Sequence, residues 1–270
     1  MAIDAFLLPV SGLSIHIRPP TGEEDMLLAE AGSDDAALAL ALADRLASAS
    51  DGTPIDFRAL SVTDLDAFVL RLRQMLMGDS IRADVTCLAP SCGKPLDIAF
   101  GIDAYLAHQL PAAARAPRNV APSADEAGWY VLGGRTAGDG ERVEATFRLP
   151  SAVDELAVQG RPDAADALAR RLMRPGGLTR RVRRRVEAAM EVLAPSLCGD
   201  LEGICPECGS RTMIRFDPRQ FCLQELRDRA SFIYEDVDLL AERYHWSESE
   251  ILDLPNARRA GYCDAARRRA

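Results

Sequence analysis

The sequence predicts an α+β protein of two tandem related lobes followed by a helical C-terminal tail. Three observations lead there. Two short cysteine turns, Cys87-Leu88-Ala89-Pro90-Ser91-Cys92-Gly93 and Cys205-Pro206-Glu207-Cys208-Gly209, are each closed by glycine and flanked by short alternating apolar segments. The segments on the two sides of an alanine- and proline-rich stretch repeat in the same order. A run of helical patterns with no counterpart closes the chain. A structural zinc takes four ligands, so neither turn is sufficient alone and together they make a four-thiolate set. Each lobe thus supplies half of one shared zinc ribbon, and the metal ties distant parts of the chain.

The first lobe spans residues 1–110. Residues 6–18 read as a hairpin: Leu13, Ile15 and Ile17 alternate with polar neighbours and Ser11-Gly12 supplies the turn. His16 falls on the polar side and reads as a solvent-facing residue. Pro19-Pro20 ends the strand, and Thr21 with Glu24 matches a capping box for a helix running to about Ala31. Ser33-Asp34-Asp35 caps the next helix, marked by Leu38, Leu42 and Leu46 and expected to continue to the breaker Asp51-Gly52-Thr53-Pro54. Ser61 opens the clearest amphipathic helix, with Leu65, Phe68, Leu72 and Met75 on one face, and Gly78 ends it. Ile81–Thr86 leads into the first cysteine turn. Leu96, Ile98 and Phe100 alternate beyond it, and Ile102–Gln109 has a helical pattern.

Residues 111–128 have no apolar period and read as a linker. The second lobe, 129–226, opens with Trp129–Leu132 and Arg142–Leu149, with Gly133-Gly134 and Gly138-Asp139-Gly140 read as its hairpin turn. Arg148-Leu149-Pro150-Ser151-Ala152-Val153-Asp154 then parallels Arg18-Pro19-Pro20-Thr21-Gly22-Glu23-Glu24, strand, proline, hydroxyl cap and acidic first turn. Leu168–Leu172 echoes Leu42–Leu46, and Cys198-Gly199-Asp200 echoes Met77-Gly78-Asp79. Ile214, Phe216 and Phe221 stand at the same offsets from Cys208 as Ile98, Phe100 and Tyr105 do from Cys92. Agreement in order points to a tandem duplication of about residues 12–108 and 142–226. The tail, 227–270, carries Ile233, Val237 and Leu240 on one helical face, then Tyr244-His245-Trp246, a second capping box Ser247–Glu250, and Pro255 in the first turn of a closing helix. A Tyr-His-Trp turn is commonly a packed corner; it is also the best candidate partner anchor here, because such residues dominate interface hot spots.

With 270 residues, 48% apolar and 27% charged, the chain has an ordinary globular composition. No apolar run approaches the ~20 residues that cross a bilayer. Met1-Ala2-Ile3-Asp4 has no basic region before a short apolar stretch, so a signal peptide is not expected and a reducing, cytoplasmic setting is. There cysteines serve more often as metal ligands than as disulfides. Cys198, Cys222 and Cys263 read as small buried apolar residues. The net charge of −9 opposes broad phosphate binding. The arginines at 180, 181, 183–185 and 267–269 read as solvated helix faces or dipole-complementing ends. The predicted ligands of one structural zinc are Cys87, Cys92, Cys205 and Cys208. A closed thiolate shell leaves no position for an activated water. No His-Glu-x-x-His, Walker-type loop or Gly-x-Ser-x-Gly elbow is present, and no small-molecule substrate or catalytic residue is expected. A non-enzyme is the reading.

The run Leu65–Met77, Gly78-Asp79, strand, Cys87–Cys92-Gly93, strand resembles the baseplate-hub assembly proteins of contractile-tailed phages and related contractile injection systems. The closing Ile233-Tyr234-Glu235-Asp236-Val237 and Leu240 through Pro255 resembles a tail found in such proteins. The first cysteine turn departs from the family pattern, with four residues between its cysteines instead of two. The resemblance covers roughly half the chain and implies an assembly role: binding hub or spike subunits, or the tape-measure end, as a scaffold incorporated in the particle or as an assembly chaperone. Two other classes stay open. A zinc-ribbon nucleic-acid binder needs the arginine clusters on one face, and a zinc hydrolase needs an open coordination position.

Overall fold

A computed structural model describes residues 5–33, 35–110, 117–135 and 141–268. It is a mixed helix-and-sheet protein, in agreement with the predicted class. In the first half β1 (Phe6–Leu7) and β2 (Ser14–Ile17) pair antiparallel around a turn that places Gly12 at φ 68°. Thr21 and Glu24 form both bonds of the predicted capping box and start α1 (Gly22–Glu30); Asp35 caps α2 (Ala36–Leu46). That second helix does not continue to Asp51–Pro54. It stops at Leu46, and β3 (Ala47–Ala49) lies along the free edge of β2. The Leu46 carbonyl accepts from the Arg18 amide, which draws the chain onto the strand at the end of the helix.

Ser61 caps α3 (Val62–Met77), and Gly78, at φ 85°, ends it. Two antiparallel strands, β4 (Ser80–Thr86) and β5 (Pro95–Gly101), carry the first cysteine turn and lead into α4 (Ile102–Gln109).

The second half contains a four-stranded antiparallel sheet in the order β6 (Val120–Pro122), β7 (Trp129–Arg135), β8 (Glu141–Arg148), β9 (Met173–Arg174). Two expectations are corrected here. Val120–Pro122, inside the stretch read as a linker, pair with β7. Gly133 and Gly134 lie within β7, at a register shift, instead of in the hairpin turn. Glycine in a strand commonly marks such an irregularity. Residues 111–116 and 138–140 lie outside the described residues.

Between β8 and β9 run α5 (Ala152–Val158), begun by a capping box of Ser151 and Asp154, and α6 (Ala164–Leu172). α7 (Arg180–Leu193), the ribbon β10 (Gly199–Ile204) and β11 (Arg211–Phe216), and α8 (Pro218–Ala230) follow. The tail is α9 (Ile233–Tyr244), α10 (Glu248–Leu252) and α11 (Asn256–Arg267), and its predicted Ser247–Glu250 capping box is present.

In each half the order is hairpin, two helices, a short strand returning to the hairpin, helix, two-stranded ribbon, helix. The apolar cores cut across the halves. A large core gathers Leu42, Leu65, Phe68, Leu72 and Ile81 from the first half with Ala152, Phe216, Cys222, Leu223 and Leu226 from the second. A smaller core, Leu132, Phe147, Leu172, Met173, Val186 and Ala189, lies beneath the four-stranded sheet.

Buried charges on α3 fix α8 against it. The Arg73 guanidinium donates to Glu225 (Nε–Oε2 2.9 Å), and Arg219 of α8 donates to Asp66 at 2.6 Å and to Glu155 of α5 at 2.7 Å. Ion pairs this deep are expensive to leave half made, so they specify which helix faces meet.

Candidate metal centre

Each cysteine turn is built by its ribbon. β4 and β5 pair out to Thr86 and Pro95, and the Cys87 amide then donates to the Lys94 carbonyl at 2.9 Å. β10 and β11 pair out to Ile204 and Arg211, and the Cys205 amide donates to the Ser210 carbonyl at 2.9 Å. In both turns the first cysteine closes onto the residue two places after the second. The closure needs a left-handed residue between them, supplied by Gly93 (φ 58°) and Gly209 (φ 71°). The spacing of four in the first turn is absorbed by the extra residues at its tip, where Cys92 N–H bonds Ala89 O at 2.9 Å.

The ribbons meet so that sulfurs pair across them. Cys87 Sγ lies 3.7 Å from Cys208 Sγ and Cys92 Sγ 3.9 Å from Cys205 Sγ, with all four within 4.8 Å of one another. Four sulfurs arranged tetrahedrally at about 2.3 Å from one zinc are separated by about 3.8 Å. A disulfide needs about 2 Å, and all four cysteines are free thiols. Cys87 and Cys205 are buried, Cys92 is half-buried and Cys208 is exposed. Val85, Leu96 and Ile98 wall the cluster, and the buried Thr212 hydroxyl reaches Cys87 Sγ at 3.8 Å.

Thiols crowded this closely cannot all ionise without a cation among them. Ser210, through its side chain and its amide, draws the Cys208 thiol down to about 6. The Lys94 amide favours the Cys92 thiolate, but burial and the neighbouring sulfurs oppose it and prevail, pushing that thiol up to about 12. A divalent cation removes the conflict by making every thiolate attractive, and metal binding here would release protons. The residues fit such an ion: four soft ligands at tetrahedral spacing, held by amide and hydroxyl donors that orient the sulfurs.

The predicted ligands are therefore brought together, and the remaining cysteines are not among them. Burial pushes Cys198, Cys222 and Cys263 up to about 12. The Tyr-His-Trp turn belongs to a separate cluster in the tail. Tyr244 stacks on Trp246 with centroids 4.9 Å apart, Tyr262 meets Trp246 edge-on, and Leu240, Ile251 and Cys263 lie beneath. His245, at φ 57°, terminates α9 and is exposed.

Sequence reasoning missed a second repeated device. Arg18 Nη2 donates to Glu24 Oε1 at 2.7 Å, and Arg148 Nη2 to Asp154 Oδ1 at 2.6 Å, so each strand-end arginine clamps the acid of the capping box six residues on. Both acids are buried. The signal was visible as Arg-x-Pro-(Thr/Ser)-x-x-(Glu/Asp), but the arginines read as surface charges.

A family model described as T4 bacteriophage base plate protein matches residues 1–168, a span that holds the first cysteine turn and stops short of the second. No curated protein and no solved structure matches the chain.

Proposed function

Because this chain belongs to the T4 bacteriophage base plate protein family, we propose that it is a non-catalytic structural or assembly component of a contractile-tail baseplate, stapled internally by one zinc. The observation that carries the staple is the convergence of Cys87, Cys92, Cys205 and Cys208 within 4.8 Å from two ribbons far apart in sequence. In this reading Zn²⁺ supplies folding free energy and no chemistry. Its four-thiolate shell is closed, and the ion fixes the angle between the ribbons and hence the surface offered to partners.

The chain divides into a first lobe (1–110), a linker (111–128), a second lobe (129–226) and a tail (227–270). The lobes descend from one duplicated unit. The shared element order and the two arginine–acid clamps of identical spacing support the duplication. The partners are hub, spike or tape-measure proteins of the tail, and the Tyr244-His245-Trp246 turn is a contact point, with His245 outward and the two rings holding the turn rigid. A nucleic-acid role finds less support: Arg183 and Arg185 are engaged by Asp166, Glu187 and Glu144, and Arg267 by Asp236.

Co-expression of the tagged chain with the neighbouring tail genes, followed by mass spectrometry, tests the role. Recovery of baseplate components at fixed stoichiometry is expected, and weakened recovery with His245→Ala. Purification without any tail component contradicts the reading.

A further inference from the structure

The Arg-x-Pro-(Thr/Ser) turn does more than begin a helix; in both halves it receives the N-terminus of another. In the second half Ser151 forms an isolated β-bridge with Ser61, and the Val62 amide, first in α3, donates to the Pro150 carbonyl at 3.0 Å. In the first half Thr21 forms the same bridge with Pro255, and the Asn256 amide, first in α11, donates to the Pro20 carbonyl at 3.2 Å. Proline and hydroxyl residue occupy the same places in both sockets. The guest of the second socket is a helix of the other half, whereas the guest of the first is the tail.

The first socket is acidic. Asp25, buried in the first turn of α1, accepts from Asn256 Nδ2 at 3.0 Å, from Arg229 at 3.3 Å and from Arg259, which also reaches Asp236 at 3.3 Å. Arg259 is the fourth residue of α11. The guest is also small at the contact. Ala257 and Ala260 face Pro19, Pro20, Met75 and Leu76 across a cavity of about 260 Å³. The tail has an apolar cluster of its own around Leu240, Ile251 and Cys263, so it can leave α1 without opening that cluster.

A second helix end in the chain has the features the socket selects. α7 stands in the second half where α3 stands in the first. Thr179 caps it, Arg183 is its fourth residue, and its first turn has no acid. Thr179, Arg180, Arg181 and Arg184 are exposed. Positive charge at the positive end of a helix dipole is unfavourable in isolation and becomes favourable against carboxylates.

We propose that α11 is an internal plug in the first-half socket, and that the occupant it excludes is the N-terminus of α7 from a second copy of this chain. With the plug out, Arg183 of one copy meets Asp25 of the next. The stems of Arg181 and Arg184 lie over the cavity that Ala257 and Ala260 leave. The contact is head-to-tail, so it propagates unless the ring closes, and the tail limits it. This inference rests on the likeness of the two sockets and is independent of the baseplate role and of the metal.

The test uses the full chain with Arg259→Ala, followed by hydrogen exchange of α11 and by sedimentation equilibrium across a concentration series. Exchange in α11 at least tenfold faster than in the wild type is expected. The average mass should rise with concentration, and adding Arg183→Glu should return it to the wild-type curve. Unchanged α11 exchange overturns the plug. Freed α11 without added mass, or added mass that Arg183→Glu leaves in place, overturns the proposed occupant. If Arg259→Ala does not fold, a labelled peptide of residues 177–193 is titrated into the wild-type chain. Its Arg183→Glu version should bind at least tenfold more weakly, although an acid there favours the helix. Equal binding by the two peptides overturns the proposal.

Discussion

α3 and α7 hold the same place in the order of their halves and live in opposite surroundings. α3 buries Leu65, Phe68, Val69, Leu70 and Leu72, together with Asp66 and Arg73, which are matched by charges on α8. α7 buries Val186 and Ala189 on one side and turns arginines outward. The hydroxyl caps and the helical period are alike, so they account for where each helix forms. The burial differs because α8 leaves its own half and covers α3. Local sequence therefore sets the elements, and the crossing of α8, with the joined ribbons behind it, makes the first half the centre on which the second is mounted.

The most severe way to break that arrangement is to unfasten the ribbons. Cys205→Ser with Cys208→Ser, or removal of the metal by a chelator, should forfeit most of an apparent metal-binding free energy on the order of 10 kcal/mol. Hydrogen exchange should then quicken in β10, β11 and α8 together. A thermal melt unchanged by either treatment would mean that the ribbons meet without help.

The asymmetry between the cores gives the next test. Phe68→Ala empties the large core beside Phe57, whose ring centroid is 5.3 Å away, and should cost about 3–5 kcal/mol. Leu172→Ala in the smaller core should fall near the low end of the roughly 2–5 kcal/mol range for such truncations. Equal costs by chemical denaturation would erase the distinction between centre and attachment.

The clamp under the second hairpin responds to acid. Burial raises the Asp154 carboxyl, but Arg148, the Ser151 amide and Arg171 outweigh it and hold the group at about 2. A folded pKa below the ordinary 3.8 means that its stabilisation is complete above about pH 4 and disappears as pH falls toward 2. The stability difference between wild type and Asp154→Asn should shrink across that window. A difference independent of pH there would show that the clamp holds no ionised carboxylate.

The caps give the smallest effect. Ser61→Ala should cost about 1 kcal/mol because the hydroxyl bonds a buried amide. Thr179→Ala, at an exposed helix end, should cost less by the same denaturant titration.

Much of this was legible in the chain. The boxes at Thr21–Glu24 and Ser247–Glu250, the cap at Ser61, the stop at Gly78 and the cysteine hairpins are all signalled by residues within a few positions of one another, and the structure has each of them. The four ligand cysteines were readable because a half-site has no use alone. What escaped depends on distant neighbours. Ala47-Ser48-Ala49 has no strand propensity and becomes β3 only because β2 offers an edge. Val120–Pro122 joins β7 for the same reason. Arg219 and Glu225 look like surface charges until α3 presents Asp66 and Arg73 to them.

The central claim is that one ion gathers four sulfurs from two ribbons. X-ray absorption at the metal edge on purified protein, with metal content measured per chain, tests it most directly. One zinc per chain with four sulfur neighbours at about 2.3 Å is the expected result. A metal-free chain that remains folded, or a shell in which nitrogen or oxygen replaces any of the four sulfurs, would contradict it.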